Sequence, residues 1–163
     1  MLFVDGSPVA NLESPESGDN NNVLPYSIFG DGIFETIFLH AGQLHLLERH
    51  LQRLAAGAER LNLALCETTI TAELHNFIDF YKLEAATCRV RLLICRDYSS
   101  AGYSTQSLPT RRLITAVKQS LPETGPLRIN VSDVSLAHQP MLAGIKHCNR
   151  CLLYTSPSPR DNR

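Results

Sequence analysis

The chain has no basic surplus, no long apolar run, no leader-like start and few lysines. Fifteen Lys and Arg residues face sixteen Asp and Glu, giving a formal net charge of −1 and a pI near 6.6. A protein held to nucleic acid by charge normally carries a basic excess, so this balance argues against that class. No stretch approaches the roughly 18 consecutive apolar residues of a membrane span. The opening Met1-Leu-Phe-Val-Asp-Gly6 lacks the basic and long apolar regions of a signal peptide. The histidines show no H-E-x-x-H type spacing, and five cysteines in an unsignalled chain read as reduced thiols. What is present is 163 residues, 44% of them hydrophobic and 19% charged. That suffices for one domain, or a domain plus part of another, with a core that needs neither metal nor disulfides. The expectation is a cytoplasmic protein with a small-molecule partner, no nucleic acid, no membrane and no metal.

Periodicity supplies the elements. Leu2 to Val4 is a short apolar run closed by the turn signal Asp5-Gly6, with Val9 to Leu12 as its return strand. Residues 13–22 are polar and aperiodic, a loop. Ile33, Glu35, Ile37 and Leu39 alternate with Phe34, Thr36 and Phe38, which predicts a strand covered on both faces. Ala41-Gly42 is a turn. Leu44, Leu47, Leu51, Leu54, Ala58 and Leu61 recur at helical spacing, predicting a helix over 44–63. Thr68 or Thr69 suits the cap of a second helix running to about Leu83. Strands are predicted at Thr87–Cys95, Arg112–Val117 and over Leu127, Ile129 and Val131, with a polar loop between Asp97 and Pro109. Clustered strands early in the chain favour an α+β class over a doubly wound sheet.

Two cations stand out. Lys146 is one of only three lysines and follows the apolar run Leu142-Ala-Gly-Ile145. Apolar neighbours strip solvent from an amine, so it deprotonates more easily and can form a Schiff base. Arg53, in His50-Leu-Gln-Arg-Leu54, offers a planar fork suited to a phosphate. The plainer reading of either is an exposed surface cation. Gly30-Asp-Gly32 lacks the spacing of a phosphate-cradling loop and reads as a tight turn that starts a strand close to other atoms. His147 and Cys148 are adjacent, so in a strand they face opposite ways and make a poor nucleophile pair. The other histidines read as ordinary surface or half-buried groups.

Three segments together resemble the fold-type IV pyridoxal-phosphate enzymes, the class IV aminotransferase superfamily. Phe29-Gly-Asp-Gly-Ile-Phe-Glu-Thr36 is similar to the strand entry of that family, His50-Leu-Gln-Arg-Leu54 to its H-x-x-R-L helix, and Leu142-Ala-Gly-Ile-Lys-His-Cys-Asn-Arg150 to its lysine segment. The last of these is closest to the aminodeoxychorismate lyase branch, and Arg96…Gly102-Tyr-Ser104 fits that branch too. The resemblance implies pyridoxal 5'-phosphate as cofactor, covalently held by Lys146, with its phosphate on Arg53. It implies a substrate pocket involving Phe34, Thr36 and Tyr103, formation of 4-aminobenzoate and pyruvate from 4-amino-4-deoxychorismate, and a homodimer. The alternatives are an aminotransferase of the same superfamily and a noncatalytic binding domain. Two features depart from the family pattern: Leu24-Pro-Tyr-Ser-Ile28 replaces an acidic-Arg pair, and Ala101 stands where an arginine often precedes Gly-Tyr.

The implied organisation is a small N-terminal α+β domain over 1–121, a linker at 122–126, and at 127–150 the first strand of a mostly missing C-terminal domain. Residues 151–163 read Cys-Leu-Leu-Tyr-Thr-Ser-Pro-Ser-Pro-Arg-Asp-Asn-Arg. That string resembles the translation of a transposase adapter used in sequencing libraries, so it is expected to be an artefactual, disordered tail. The Cys148-x-x-Cys151 spacing and the Ser156-Pro and Ser158-Pro pairs are set aside with it.

Overall fold

A computed structural model of the chain describes residues 1–9, 30–97, 108–121, 125–126, 129, 131 and 139–150. Its elements are β1 (Leu2–Val4), β2 (Ser7–Pro8), β3 (Gly32–His40), β4 (Gln43–Leu44), α1 (Leu47–Leu61), α2 (Glu67–Phe80), β5 (Thr87–Arg96) and β6 (Thr110–Lys118). The strands form one antiparallel sheet in the order β2-β1-β6-β5-β3-β4. The α+β class is observed. The strand expected at Leu127–Val131, the polar loops at 13–22 and 98–107, Tyr103 and the tail lie wholly or mostly outside the described residues.

The sheet has one covered face because side chains alternate along each strand. Ile33, Ile37 and Leu39 of β3, Val90, Leu92 and Ile94 of β5, and Ile114 of β6 pack with Leu51, Leu54 and Ala58 of α1. Ile70, Leu74, Phe77 and Ile78 of α2 complete the cluster. The other face carries Phe34, Thr36 and Phe38, registered against Leu93, Arg91 and Arg89. A smaller apolar cluster of Leu2, Val4, Cys95 and Leu113 covers one end of it.

Both helices are shorter than their periodicity suggests. Ala41 and Gly42 have φ of 47° and 76°, the left-handed pair that a two-residue hairpin loop needs. The chain therefore doubles back, and Gln43–Leu44 pair with His40 and Leu39 instead of opening the helix. At the end of α2, Lys82 with φ 51° breaks the helical path, and Leu83 just beyond it is buried. Cys66, rather than Thr68 or Thr69, occupies the N-cap of α2. The hydroxyl of Thr68 lies 3.2 Å from its sulfur, and the two threonines pull the thiol pKa down to about 7.

Arg96 ties the end of α1 to the start of β3. Its guanidinium donates to Asp31 Oδ2 at 2.8 Å, to the Asn62 carbonyl at 2.9 Å and to the Leu61 carbonyl. These carbonyls are the orphan acceptors of the helix C-terminus, where positive charge is also favoured by the dipole. Arg96→Met leaves them and a partly buried aspartate without that donor. The expected loss is about 3 kcal/mol, read as a lower urea midpoint at unchanged slope.

Candidate functional site

The three segments singled out in the sequence meet at the edge of β3. Beyond β4 that edge is free, and residues 146–148 fill it: Phe34 N–H donates to the Lys146 carbonyl at 2.9 Å and Cys148 N–H to the Gly32 carbonyl at 2.8 Å, around an antiparallel bridge between Ile33 and His147. The segment is held in place by Arg60 of α1, which donates to the Ala143 carbonyl. Arg150 folds back onto the carbonyls of His147 and Ile145 at 3.0 and 3.2 Å. Gly30, with φ 64°, supplies the turn ahead of β3, and a Cβ there would lie 3.6 Å from the backbone of Asn149.

At the centre is a residue that the sequence reading passed over. Glu35 points to the helix side of the sheet, among Ile33 and Ile37, and is 1% exposed. Its Oε1 accepts from Arg53 Nε at 2.6 Å, and its Oε2 from Arg53 Nη2 at 2.6 Å and His50 Nδ1 at 2.7 Å. Lys146 Nζ stands 3.8 Å from the same Oε2. Lys146 and Arg53, about ninety residues apart in sequence, therefore share one buried carboxylate. His50, read from sequence as an ordinary histidine, is part of this constellation. An ionised carboxylate only accepts, so Nδ1 of His50 carries a proton. Among the described residues, no hydrogen bond engages Arg53 Nη1, and the side chain is 48% exposed. The guanidinium thus holds Glu35 with one edge and presents another outward.

Burial pushes the Glu35 carboxyl up, but hydrogen bonds from Arg53 and His50 and the charges of Arg53 and Lys146 outweigh it and hold it below the ordinary value. A depressed folded pKa contributes stability that is complete above the unfolded value and is lost as pH falls through the folded one. The expected result is acid destabilisation beginning below about pH 4.5, part of which disappears in Glu35→Gln when urea midpoints are compared across pH. Burial moves Lys146 the other way, below the ordinary lysine value; Glu35 opposes this, and Arg53, Arg150 and Arg91 reinforce it.

Phe34 and Thr36 face away from the helices and are half-buried. The Phe34 ring is flanked by three cations, with Lys146 Nζ 5.0 Å, Arg150 Cζ 5.7 Å and Arg91 Cζ 5.8 Å from its centroid. Thr36 registers against Arg91. This rim is strongly positive beside an aromatic surface, and the amine of Lys146 reaches both it and Glu35. His147 Nδ1 is buried with no partner among the described residues, and burial lowers the pKa of its ring. Cys148 is pushed up to about 11 by burial, so its thiol stays protonated near neutral pH and is a poor nucleophile. Among the described residues, no group of His, Cys, Asp and Glu is placed to hold a metal, and no helix is long and apolar enough to cross a membrane.

The chain belongs to the amino-transferase class IV family, whose model matches residues 32–155. It is similar to the aminodeoxychorismate lyase of Bacillus subtilis (strain 168), with 26% identity over 130 residues, covering 78% of this chain and 43% of that protein. Among solved structures it is similar to the 4-amino-4-deoxychorismate lyase of Pseudomonas aeruginosa, with a TM-score of 0.71, 31% identity, and coverage of 94% of this chain and 54% of that one. A branched-chain aminotransferase from Thermoproteus uzoniensis with norvaline shares the fold at a TM-score of 0.54 and 16% identity, over 71% of this chain and 39% of that one. The chain spans about half the length of the lyases it matches.

Proposed function

We propose that the whole protein is a pyridoxal-phosphate-dependent lyase that converts 4-amino-4-deoxychorismate to 4-aminobenzoate and pyruvate in folate biosynthesis. The reading rests on one observation: Lys146 and Arg53, an amine and a phosphate-competent guanidinium, converge on Glu35. The lyases among its relatives support the reaction class, and two of them match over most of this chain. The residues fit the cofactor. Arg53 binds its phosphate through the unengaged Nη1 edge, with the orientation of the fork already set by Glu35. Lys146 would bind it covalently through Nζ, from which burial makes the proton easier to remove than from an ordinary lysine. When bound, the cofactor supplies an aldehyde carbon that captures the substrate amine and a ring that takes up an electron pair.

Lys146 Nζ then serves as the base that moves the proton from the substrate carbon bearing the amine. Phe34 lays an apolar ring beside that nitrogen and keeps water from it. Thr36 lies on the same face, and Tyr103 is assigned to the substrate side by family resemblance. The substrate carries two carboxylates, and the cations around Phe34, Arg91 and Arg150, offer complementary charge. Residues 1–121 form the small domain in this reading. Residues 127–150 begin a larger one, and the whole enzyme is a cytoplasmic homodimer.

The deciding experiment gives the whole enzyme 4-amino-4-deoxychorismate and pyridoxal phosphate with no oxo-acid. Formation of pyruvate and 4-aminobenzoate in equal amounts is the expected result, and strict dependence on an added oxo-acid acceptor would assign an aminotransferase instead. The 163-residue chain alone is expected to form no 4-aminobenzoate.

A further inference from the structure

We propose that Glu35 is a positioning residue that attracts the charge of Lys146 while leaving its amine unbonded, because His50 and Arg53 occupy the carboxylate first. The inference deepens the reading of Lys146 and Arg53 as a cofactor-holding pair and rests on it.

A carboxylate oxygen accepts about two strong hydrogen bonds. Oε2 of Glu35 already receives Arg53 Nη2 at 2.6 Å and His50 Nδ1 at 2.7 Å. Lys146 arrives as a third donor and stops at 3.8 Å, outside hydrogen-bond range. An ammonium bonded directly to a buried carboxylate would be locked in its charged form and in one direction, and neither suits an amine that must attack, release and move protons. At 3.8 Å the attraction persists without the lock. Arg53 is fixed by the same carboxylate through two parallel bonds, so both groups are set by one side chain on a rigid strand.

The charges facing Lys146 come from every neighbouring element. Glu35 lies on β3, His50 and Arg53 on α1, Arg91 on β5, and Arg150 on its own segment. Among the described residues, Glu35 is the one anion acting on Lys146, and its removal leaves the guanidinium groups of Arg53, Arg150 and Arg91 unopposed. Removal of His50 instead frees a lone pair on Oε2 and lets the amine close in.

These two changes therefore move Lys146 in opposite directions, which a merely structural role would not do. The test is a pH titration of the full cofactor-free chain after reductive methylation of its three lysines with 13C-formaldehyde, followed by NMR. Lys82→Arg and Lys118→Arg identify the Lys146 signal. In Glu35→Gln the Lys146 pKa falls by about one unit or more. In His50→Phe it rises above the value that the same residue takes in the urea-unfolded chain. Unfolding cannot imitate the first result, because it returns Lys146 to the higher, ordinary lysine value. A Lys146 titration unchanged in Glu35→Gln, or merging with Lys82 and Lys118 in every variant, overturns the proposal. Borohydride reduction after addition of pyridoxal phosphate keeps the two questions apart. An adduct at Lys146 with an unmoved titration removes the role of Glu35 and leaves the cofactor reading standing. A shifted titration with no adduct does the reverse.

Discussion

Lys146→Ala is expected to abolish the borohydride-reducible pyridoxal adduct of the whole enzyme, and turnover with it. Mass mapping of the wild-type protein should place the modification on Lys146 and on neither Lys82 nor Lys118. Three features separate this lysine from the others. Its side chain is 26% exposed, it lies 5.0 Å from the Phe34 ring, and among the described residues it feels one anion and three guanidinium groups. Desolvation and neighbouring cations both disfavour the ammonium, which favours attack of the amine on an aldehyde. In the proposed mechanism this substitution removes the covalent anchor and the proton carrier at once. The expected fall in kcat is at least about 1,000-fold, of which loss of a positioned base alone accounts for about 100-fold or more. Fold stability should change little, because the amine makes no hydrogen bond to Glu35 and lies at the strand edge. An unchanged urea midpoint with complete loss of adduct would locate the effect in chemistry. A retained adduct in Lys146→Ala would refute the assignment.

The elements that sequence exposed most clearly were those where one period governs the whole stretch. The alternation from Ile33 to Leu39 produced β3, and the alternation of arginines with apolar residues produced β5. Boundaries failed where a turn interrupted a pattern that continued by coincidence. Leu44 matches the helical spacing of Leu47 and Leu51, but the positive φ of Ala41 and Gly42 places it on a strand. Glu35 was missed for a related reason. Alternation puts Phe34 and Thr36 on one face and Glu35 with Ile33, Ile37 and Leu39 on the other, and by itself gives the carboxylate no role. The signal was there nonetheless. A lone carboxylate on an otherwise apolar strand face cannot be buried without partners, and His50 and Arg53, three residues apart on a helix, supply them from one side. Sequence order alone does not bring Lys146 to the same oxygen. That proximity depends on residues 146–148 returning to the free edge of β3, a long-range pairing that no local spacing encodes.

Gly32→Ala should damage the site without touching any of its charged groups. Gly32 opens β3 opposite Cys95. A Cβ at this position would lie 2.7 Å from the Ile94 carbonyl oxygen and 2.9 Å from Cys95 Cβ. The first of these is backbone in a paired strand and cannot swing aside, so β3 and β5 must separate locally. Overpacking of this kind costs about 1–3 kcal/mol. The loss of chain freedom that alanine brings to the unfolded state returns only about 0.4–1 kcal/mol. The consequence for function is larger than that difference, because the carbonyl of Gly32 also accepts the Cys148 amide at 2.8 Å. Tilting this peptide loosens one of the two bonds that dock the lysine segment, and Lys146 moves relative to Glu35 and Arg53. Displacement of a reacting group by about 1 Å can reduce its effectiveness about 100-fold. The expected outcome is a lower urea midpoint, faster hydrogen exchange at the Cys148 and Phe34 amides, and at least about tenfold slower adduct formation at Lys146, equivalent to about 1.4 kcal/mol. Gly125→Ala is the control, since among the described residues no atom lies within 4 Å of the Cβ it would add. If both substitutions behave alike, close approach at Gly32 does not position the lysine. If only Gly32→Ala slows the adduct while Arg53 and Glu35 are intact, the strand edge itself is part of the machinery.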